Sequence, residues 1–268
     1  MRRLQKQWPV SGLQMLPLLV LAMPALCFAN ITVSPMKVML NEQYATTLVI
    51  SSKSETTQYI QGKITEVHNP GTAQENETPA QQGAQNSLVV SPLKFGLPAG
   101  NSQPVRIVSL GESNQEKIYR VHFQSMTPEE FKNTGSDKNF TSDLSLTIVW
   151  GVVVMVPPAK QVAKLGWDVS AQKITNTGNI HLLVKRIGLC DSDKNEARCQ
   201  WKELKKNVYP GKPYSPALTF SASASSEKIR IEYFNDYTQK QEVESNSPEI
   251  DLYQSIQCFK LLHIQITN

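Results

Sequence analysis

The chain offers few side chains whose types and spacing could perform catalysis. Its four histidines are scattered, and it contains no nucleophile elbow, no zinc-hydrolase motif and no glycine-rich phosphate loop. On a strand, Glu232 and Asp236 would share one face, but at that spacing they are too far apart to share a proton. A structural ion pair is the favoured interpretation. The sequence therefore predicts a protein that is not an enzyme and that binds no metal or cofactor.

Cys190 and Cys199 are the other residues whose side chains could form a covalent bond or bind a metal. Eight mostly polar residues separate them, and in an exported protein this spacing indicates a disulfide that closes a loop between two strands. A metal site is the competing interpretation, although no histidine lies near either cysteine. A bridge across so short a loop is expected to stabilise the fold by about 2–3 kcal/mol. Cys258 is left over in this scheme.

Residues 1–29 have the pattern of a secretory signal peptide. Three basic residues precede the apolar run Leu13–Leu26, and small residues stand at the cleavage positions before Asn30. The run is short and contains two prolines, which argues against a membrane span. We expect an exported mature chain that begins at Asn30.

The charge of the mature chain excludes some partners. Three of the 27 Lys and Arg residues lie in the signal peptide, which leaves 24 against 23 Asp and Glu. Because basic and acidic residues are nearly equal in number, there is no electrostatic reason to expect binding to nucleic acid or insertion into an anionic membrane.

The segment from Ser142 to Pro158 carries the strongest pattern in the chain. Apolar and polar residues alternate at first, and the segment then becomes apolar on both faces, which predicts one long strand over 143–156. A strand of that length needs partners along its whole edge. It is either a central strand of a sandwich or a strand that lends its apolar face to another polypeptide. The alternating residues on that face are Leu144, Leu146, Ile148 and Trp150.

Strand patterns separated by turn signals recur on both sides of this segment and predict an all-β fold of two Ig-like sandwiches. The predicted domains are 30–158 and 159–253, followed by a tail at 254–268. The strands predicted in the first domain are Ile31–Leu40, Ala45–Ser51, Gln58–Val67, Ser87–Val90, Pro104–Leu110, Lys117–Gln124 and 143–156. Those predicted in the second are Trp167–Ser170, Ile174–Thr175, Leu182–Cys190, Glu203–Val208, Ala217–Phe220 and Lys228–Tyr233. One short helix is predicted at 127–132, with Thr127 as its N-cap.

Several of these segments, in this order, resemble the PapD-like periplasmic pilus chaperones, and in particular the alternate class that serves colonisation-factor and common pili. The resemblance spans most of residues 30–240. The segments that carry it are SLVVSPLKFGLPAGNSQPVR from Ser87, EKIYRVHFQ from Glu116, LSLTIVWGVVVMVP from Leu144, ITNTGNIHLLVKRIGLC from Ile174, Cys199 and VYPGK from Val208.

The resemblance implies a periplasmic carrier for fimbrial subunits. Such chaperones lend a strand to an incomplete subunit and deliver it to an outer-membrane usher, and the donor positions here match Leu144, Leu146, Ile148 and Trp150. They hold the subunit's C-terminal carboxylate with basic residues, for which Lys37 and Arg120 stand at matching or substitute positions. A structural pilus subunit, such as a minor or tip component, is the alternative function.

The resemblance also implies a bridge between the two domains. Many members join two acids through an arginine, and Glu116 and Asp236 match the acids. The position of the arginine falls at Val156 or Pro157, so the expected bridge lacks its centre. Arg106 matches a further recurrent basic position and is expected to be a scaffold residue.

Overall fold

The computed structural model describes residues 30–80, 83, 87–132, 147–168, 171–190, 199–216 and 228–246. These residues form two β-sandwich units, which confirms the predicted fold class. The N-terminal unit contains β1 (Ile31–Ser34), β2 (Lys37–Met39), β3 (Ala45–Ser52), β4 (Gln58–His68), β5 (Asn76–Pro79), β6 (Leu88–Ser91), β7 (Lys94–Leu97), β8 (Ser102–Ser109), β9 (Lys117–Met126), α1 (Pro128–Lys132) and β10 (Val149–Val156). The C-terminal unit contains β11 (Leu165–Asp168), β12 (Lys173–Asn176), β13 (Leu182–Cys190), β14 (Cys199–Val208), β15 (Lys228–Asn235) and β16 (Lys240–Asn246).

The N-terminal unit packs a four-stranded sheet against a six-stranded one. The first sheet has the order β1-β3-β8-β6, and the second has the order β2-β10-β9-β4-β5 with β7 also paired to β4. Alternating β-branched and aromatic residues place one face of each sheet in the shared core, where Ile50, Ile107, Phe123 and Val154 are fully buried. Strand β10 lies between β2 and β9, so it completes the sandwich of its own chain.

The predicted first strand Ile31–Leu40 is wrong as a single element. It divides at Pro35 into β1, which pairs with β3, and β2, which pairs in parallel with β10 in the opposite sheet. Proline has no N–H for a strand ladder, so a change of sheet at this position costs no backbone hydrogen bond. The division matters for function because it places Lys37 beside β10.

The C-terminal unit is built on a sheet with the order β14-β13-β15-β16 and a two-stranded sheet of β11 and β12. It has a separate core that includes Ile174, Leu182 and Ile231. Cys190 and Cys199 face each other at the ends of β13 and β14 with an S–S distance of 2.03 Å, which confirms the predicted disulfide.

Some elements differ from the predicted ones. Strands β5, β7 and β16 lie in segments where the sequence predicted turns or no defined element, and the predicted strand Ala217–Phe220 lies outside the described residues. The helix is confirmed: the hydroxyl of Thr127 accepts a hydrogen bond from the N–H of Glu130 at 3.2 Å, and the Glu130 side chain accepts one from the N–H of Thr127. Within the described ranges no helix is long and apolar enough to cross a membrane.

Candidate functional site

Strand β10 has two halves with different neighbours. Along one edge all of it pairs with β9, from Val149 to Val156. Along the other edge β2 pairs only with the second half, from Val153 to Met155. The first half of β10, Val149–Val152, therefore has an edge to which the described part of the chain adds no strand. We call this segment the open edge.

The backbone groups that point out of the open edge follow from the β2 pairing. The N–H of Val153 donates to Met36 O at 2.9 Å, and the carbonyl of Met155 accepts from Leu40 N at 3.0 Å. Because successive residues of a strand direct their N–H and C=O groups to opposite sides, Val149 and Gly151 present theirs to the open edge as well. A strand from another chain could pair with these groups.

The side chains of β10 alternate between the core and the outside. Val152 and Val154 are fully buried in the core. Trp150 lies on the same face, is half-buried and packs against the edge of that core. Ile148, the next residue on this face, is 51% exposed, whereas Val149 on the opposite face is 49% exposed. The core face thus runs continuously into an apolar residue that the N-terminal unit leaves uncovered.

The predicted donor positions differ in whether the structure describes them. Ile148 and Trp150 lie just before and within the start of β10, and the other two predicted donors, Leu144 and Leu146, lie outside the described residues. The predicted strand 143–156 is observed from Val149 onward.

The two predicted anchor residues flank the same position of β10. Val153 pairs with Lys37 on one side and with Arg120 on the other. Their Cα atoms are separated by two strand spacings, or about 10 Å, and their side chains leave the same outer face of the sheet. The structure thus brings Lys37 and Arg120 to one row, but each already has an acidic neighbour.

Arg120 belongs to what we call the outer-face cluster, formed by Glu75, Glu77, Arg120 and His122. One guanidinium nitrogen pairs with Glu77, and the other lies 3.4 Å from Glu75. Glu77 also accepts hydrogen bonds from His122 at 2.8 Å and from the hydroxyl of Thr65 at 2.7 Å.

The neighbours of Glu77 lower the pKa of its carboxyl group. Partial burial alone would raise the pKa of this carboxyl, but the bonds from Thr65 and His122 and the charge of Arg120 outweigh burial and lower the pKa to about 2. The outer-face cluster is accordingly held together by an ionised Glu77. Strand β5 is what brings Glu77 to this position, and the sequence analysis missed that strand.

Lys37 belongs to a second group, which we call the interface cluster, formed by Lys37, Glu116, His181 and Asp236. Lys37 pairs with the carboxylate of Asp236. The ring of His181 meets Glu116 Oε1 with Nδ1 at 2.7 Å and Asp236 Oδ2 with Nε2 at 3.1 Å. Lys37 and Glu116 come from the N-terminal unit and the other two from the C-terminal unit, so this cluster joins the two units.

Local backbone geometry fixes His181 in this cluster. The turn before it contains Gly178, where a Cβ atom would lie 2.2 Å from the carbonyl oxygen of Val162, so only glycine permits this approach. The N–H of Glu116 donates to Asn179 O at 2.9 Å, and the N–H of His181 donates to Glu116 Oε2 at 2.9 Å. These bonds hold the histidine and the acid of the other unit in register.

The predicted interdomain pair Glu116 and Asp236 is thus brought together, and His181 stands where the sequence analysis found no central base. Burial would lower the pKa of His181, but its hydrogen bonds to Glu116 and Asp236 outweigh burial and raise the pKa above its usual value. The pKa of Asp236 is lowered because the bonds from Lys37 and His181 outweigh its partial burial. Arg106 lies elsewhere, exposed on β8 of the opposite sheet.

The described residues contain no group of three or more His, Cys, Asp or Glu side chains that could hold a metal ion. The arrangement is suited to binding another polypeptide: a strand edge to which no described strand pairs, an exposed apolar residue and two basic side chains lie along β10 or on the strands directly beside it.

Two known fimbrial proteins match most of the chain in sequence. A CS1 fimbrial subunit of Escherichia coli is 32% identical over 205 residues, which cover 74% of this chain and 85% of that protein. A CFA/I fimbrial subunit of Escherichia coli is 31% identical over 198 residues, covering 73% and 83%. No model of a protein family matches the chain.

The matching solved structures are fimbrial chaperones. The crystal structure of the class 5 fimbriae chaperone CfaA matches with a TM-score of 0.68 and 27% identity, over 82% of this chain and 100% of that one. A chaperone–tip adhesin complex of CFA/I fimbriae biogenesis matches with a TM-score of 0.66 and 26% identity, over 82% and 100%. The chain therefore belongs to the family of PapD-like fimbrial assembly chaperones, in the alternate class of the colonisation-factor type.

Proposed function

We propose that this chaperone captures fimbrial subunits in the periplasm by lending them the first half of β10 and the residues before it, and then delivers them to an outer-membrane usher. The observation that carries the proposal is the open edge, where Val149 and Gly151 offer backbone groups and Ile148 offers an exposed apolar side chain. No catalytic step is part of this function.

Strand addition explains why these two features belong together. A subunit that lacks its last strand has unpaired N–H and C=O groups and an apolar groove. Backbone pairing along the open edge satisfies the first, and alternate side chains fill the second. The apolar core face of β10 would then continue from Trp150 through Ile148, and through the proposed donors Leu144 and Leu146, into the core of the subunit.

The proposed anchor for the subunit's C-terminal carboxylate consists of Lys37 and Arg120. Both lie in the row of Val153, at the end of the open edge. The Lys37 side chain is 47% exposed, so an incoming carboxylate can reach it. A charge-assisted hydrogen bond at this point contributes about 1.5–3 kcal/mol, enough to select one register of the paired strand.

Separate observations support the proposed partner and the proposed compartment. One matched structure is a chaperone–tip adhesin complex, which supports fimbrial subunits as the partners. The signal-peptide pattern of residues 1–29 and the disulfide between Cys190 and Cys199 support export to an oxidising compartment. Delivery to an usher is proposed from family membership.

A structural pilus subunit would need a different architecture. The curated relatives carry the words "fimbrial subunit" in their names. A subunit completed by another chain lacks a strand of its own sandwich, whereas β10 fills that place here between β2 and β9. The complete N-terminal unit supports the chaperone role.

The proposal is tested by placing a charge on either face of β10. Co-expression of the chaperone with a cognate subunit should give a soluble one-to-one complex that protects the subunit from proteolysis. Ile148→Asp should abolish this complex, because an unpaired carboxylate in the subunit's apolar groove costs several kcal/mol. The free variant should fold normally, because residue 148 is half-exposed there.

Val149→Asp is the matched control. Val149 is adjacent in sequence and equally exposed, but its side chain lies on the opposite face of the strand. This variant should retain most of the complex. Equal loss of complex in both variants, or full protection by Ile148→Asp, would contradict the proposed donor face.

A further inference from the structure

His181 is the most completely enclosed charged group at the junction of the two units. Its side chain is 0% exposed, and that of Glu116 beside it is 1% exposed. Tyr209 stacks on the ring with a centroid distance of 5.8 Å, and Tyr237 approaches its edge at 6.1 Å. The Tyr237 hydroxyl donates to Glu116 at 2.6 Å. Water has no access to the ring, so its partners decide its protonation.

Both ring nitrogens face carboxylate oxygens. An ionised carboxylate accepts hydrogen bonds and cannot donate them, so a nitrogen that bonds to it must carry a hydrogen. A neutral imidazole has one N–H, whereas the geometry around His181 uses two, to Glu116 at 2.7 Å and to Asp236 at 3.1 Å. The arrangement therefore fits the doubly protonated, positively charged ring.

The same contacts form a chain of alternating charge that ends at the candidate anchor. It runs from Glu116 through His181 and Asp236 to Lys37. With a charged histidine the four groups sum to zero. With a neutral histidine the cluster carries one net negative charge beside Lys37, where the incoming subunit carboxylate would bind.

We propose that His181 is a positioning residue for subunit capture: as an imidazolium it joins the two units, holds Asp236, and through Asp236 places Lys37 at the end of the open edge, in a cluster that carries no net negative charge. The proposal rests on the proposed function, and it adds that capture responds to the protonation of a residue that never touches the subunit.

The direction of the response follows from the charges around the ring. The groups facing His181 are Glu116, Asp236, Lys37, Tyr209 and Tyr237. The two carboxylates raise its pKa above the ordinary value of 6.5 and outweigh burial and the opposing charge of Lys37. Capture should therefore be strong at low pH and weaken as the pH rises through this elevated pKa, by up to about tenfold for each pH unit.

The first measurement uses the free protein and needs no subunit. Nitrogen-15 NMR of the histidine side chains should show that His181 is mostly doubly protonated at pH 6.5. The bond to Asp236 should slow the exchange of the Lys37 ammonium protons with water, and this slowing should be lost in His181→Gln. A His181 that is mostly neutral at pH 6.5, or a Lys37 exchange rate that does not change with the substitution, would overturn the proposal.

The second measurement uses capture. The probe is a labelled peptide with the sequence of the last strand of a cognate subunit and a free C-terminus. His181→Gln should bind it at least about tenfold more weakly at pH 6.5 and should lose the pH dependence seen in the wild type. His68→Gln, at an exposed histidine of β4, is the matched control and should leave both affinity and pH profile unchanged.

Asp236→Asn provides a second test of the same chain of contacts if His181→Gln folds poorly. It interrupts the same chain one step nearer to Lys37, so it should reproduce the loss of affinity and pH dependence, and the double variant should be no weaker than either single one. A wild-type profile in Asp236→Asn overturns the positioning role while capture itself stands. If the wild type captures nothing over the whole pH range, the proposed function fails, and the NMR result alone then decides the state of His181.

Discussion

The two clusters that hold the basic residues beside β10 differ chiefly in burial. In the interface cluster the carboxylate of Glu116 and the ring of His181 are almost fully enclosed, and the residues come from both units. In the outer-face cluster Arg120 and Glu77 are 30% and 25% exposed and belong to one sheet. Both clusters neutralise a cation in the same row of β10, yet they should respond differently to an incoming carboxylate.

The difference shows which cation can take a new partner. The two terminal nitrogens of Arg120 each already face a carboxylate, Glu77 and Glu75. Lys37 has three N–H donors and one carboxylate partner, Asp236, among the described residues. Lys37 therefore shares its charge with one carboxylate, whereas Arg120 shares its charge with two, so we expect a further carboxylate to be attracted more strongly to Lys37.

Removing each cation in turn tests whether the two clusters respond differently to a carboxylate. Lys37→Ala should weaken capture of the subunit by at least about tenfold. Arg120→Ala should have a smaller effect, because Glu75 and Glu77 already offset the charge of Arg120. Titration calorimetry with the peptide of the subunit's last strand measures both. Arg106→Ala, an exposed arginine on the opposite sheet, is the matched control and should bind like the wild type.

Peptides with a free or an amidated C-terminus distinguish a specific contact between Lys37 and the carboxylate from a general effect of charge. Amidating the peptide's C-terminus should weaken binding to the wild type but not to Lys37→Ala, because the contact is already absent there. Equal weakening in both proteins means that the carboxylate is bound elsewhere, and Arg120 is then the residue to test with the same pair of peptides.

A smaller effect is expected from the outer-face cluster on stability. The pKa of Glu77 is lowered to about 2 from an ordinary value of 4.5. A lowered pKa in the folded state stabilises the fold above pH 4.5, and this contribution is lost as the pH falls toward 2. Glu77→Gln should remove this part of the acid sensitivity and cost about 0.2–1 kcal/mol at pH 7, the range typical of solvent-accessible ion pairs.

Denaturant unfolding at several pH values measures this contribution. Glu55→Gln, at an exposed acid outside both clusters, is the control and should leave the pH profile as in the wild type. If the free energy of unfolding of Glu77→Gln falls at low pH as it does in the wild type, the outer-face cluster does not contribute to stability. The distinction between the two clusters would then be removed.

Local pattern was sufficient to predict much of the fold. Alternation and β-branched residues mark strands such as β3, β9 and β10 because one face of each is buried in a core. The disulfide was predictable because its cysteines lie close in sequence, at a separation of nine residues. Strand β5 was missed because three of its four residues are polar and most are exposed, so nothing in their pattern indicates the pairing with β4.

The interface cluster shows why the site was only partly predictable. Glu116 and Asp236 were identified through the family resemblance, but His181 lies 65 and 55 residues from them, and only the packing of the two units brings the three together. A signal did exist in the sequence: His181 stands directly before the apolar run of β13, where a buried polar residue needs a partner.

Strand donation by β10 is best tested by amide hydrogen exchange along this strand, measured on the chaperone alone and in complex with a subunit. In the free chaperone Val153 is already bonded to Met36, whereas Val149 and Gly151 direct their N–H groups to the open edge. The account predicts that capture slows exchange at Val149 and Gly151 and leaves Val153 unchanged. A complex in which exchange at Val149 and Gly151 stays as fast as in the free protein would contradict strand donation by β10.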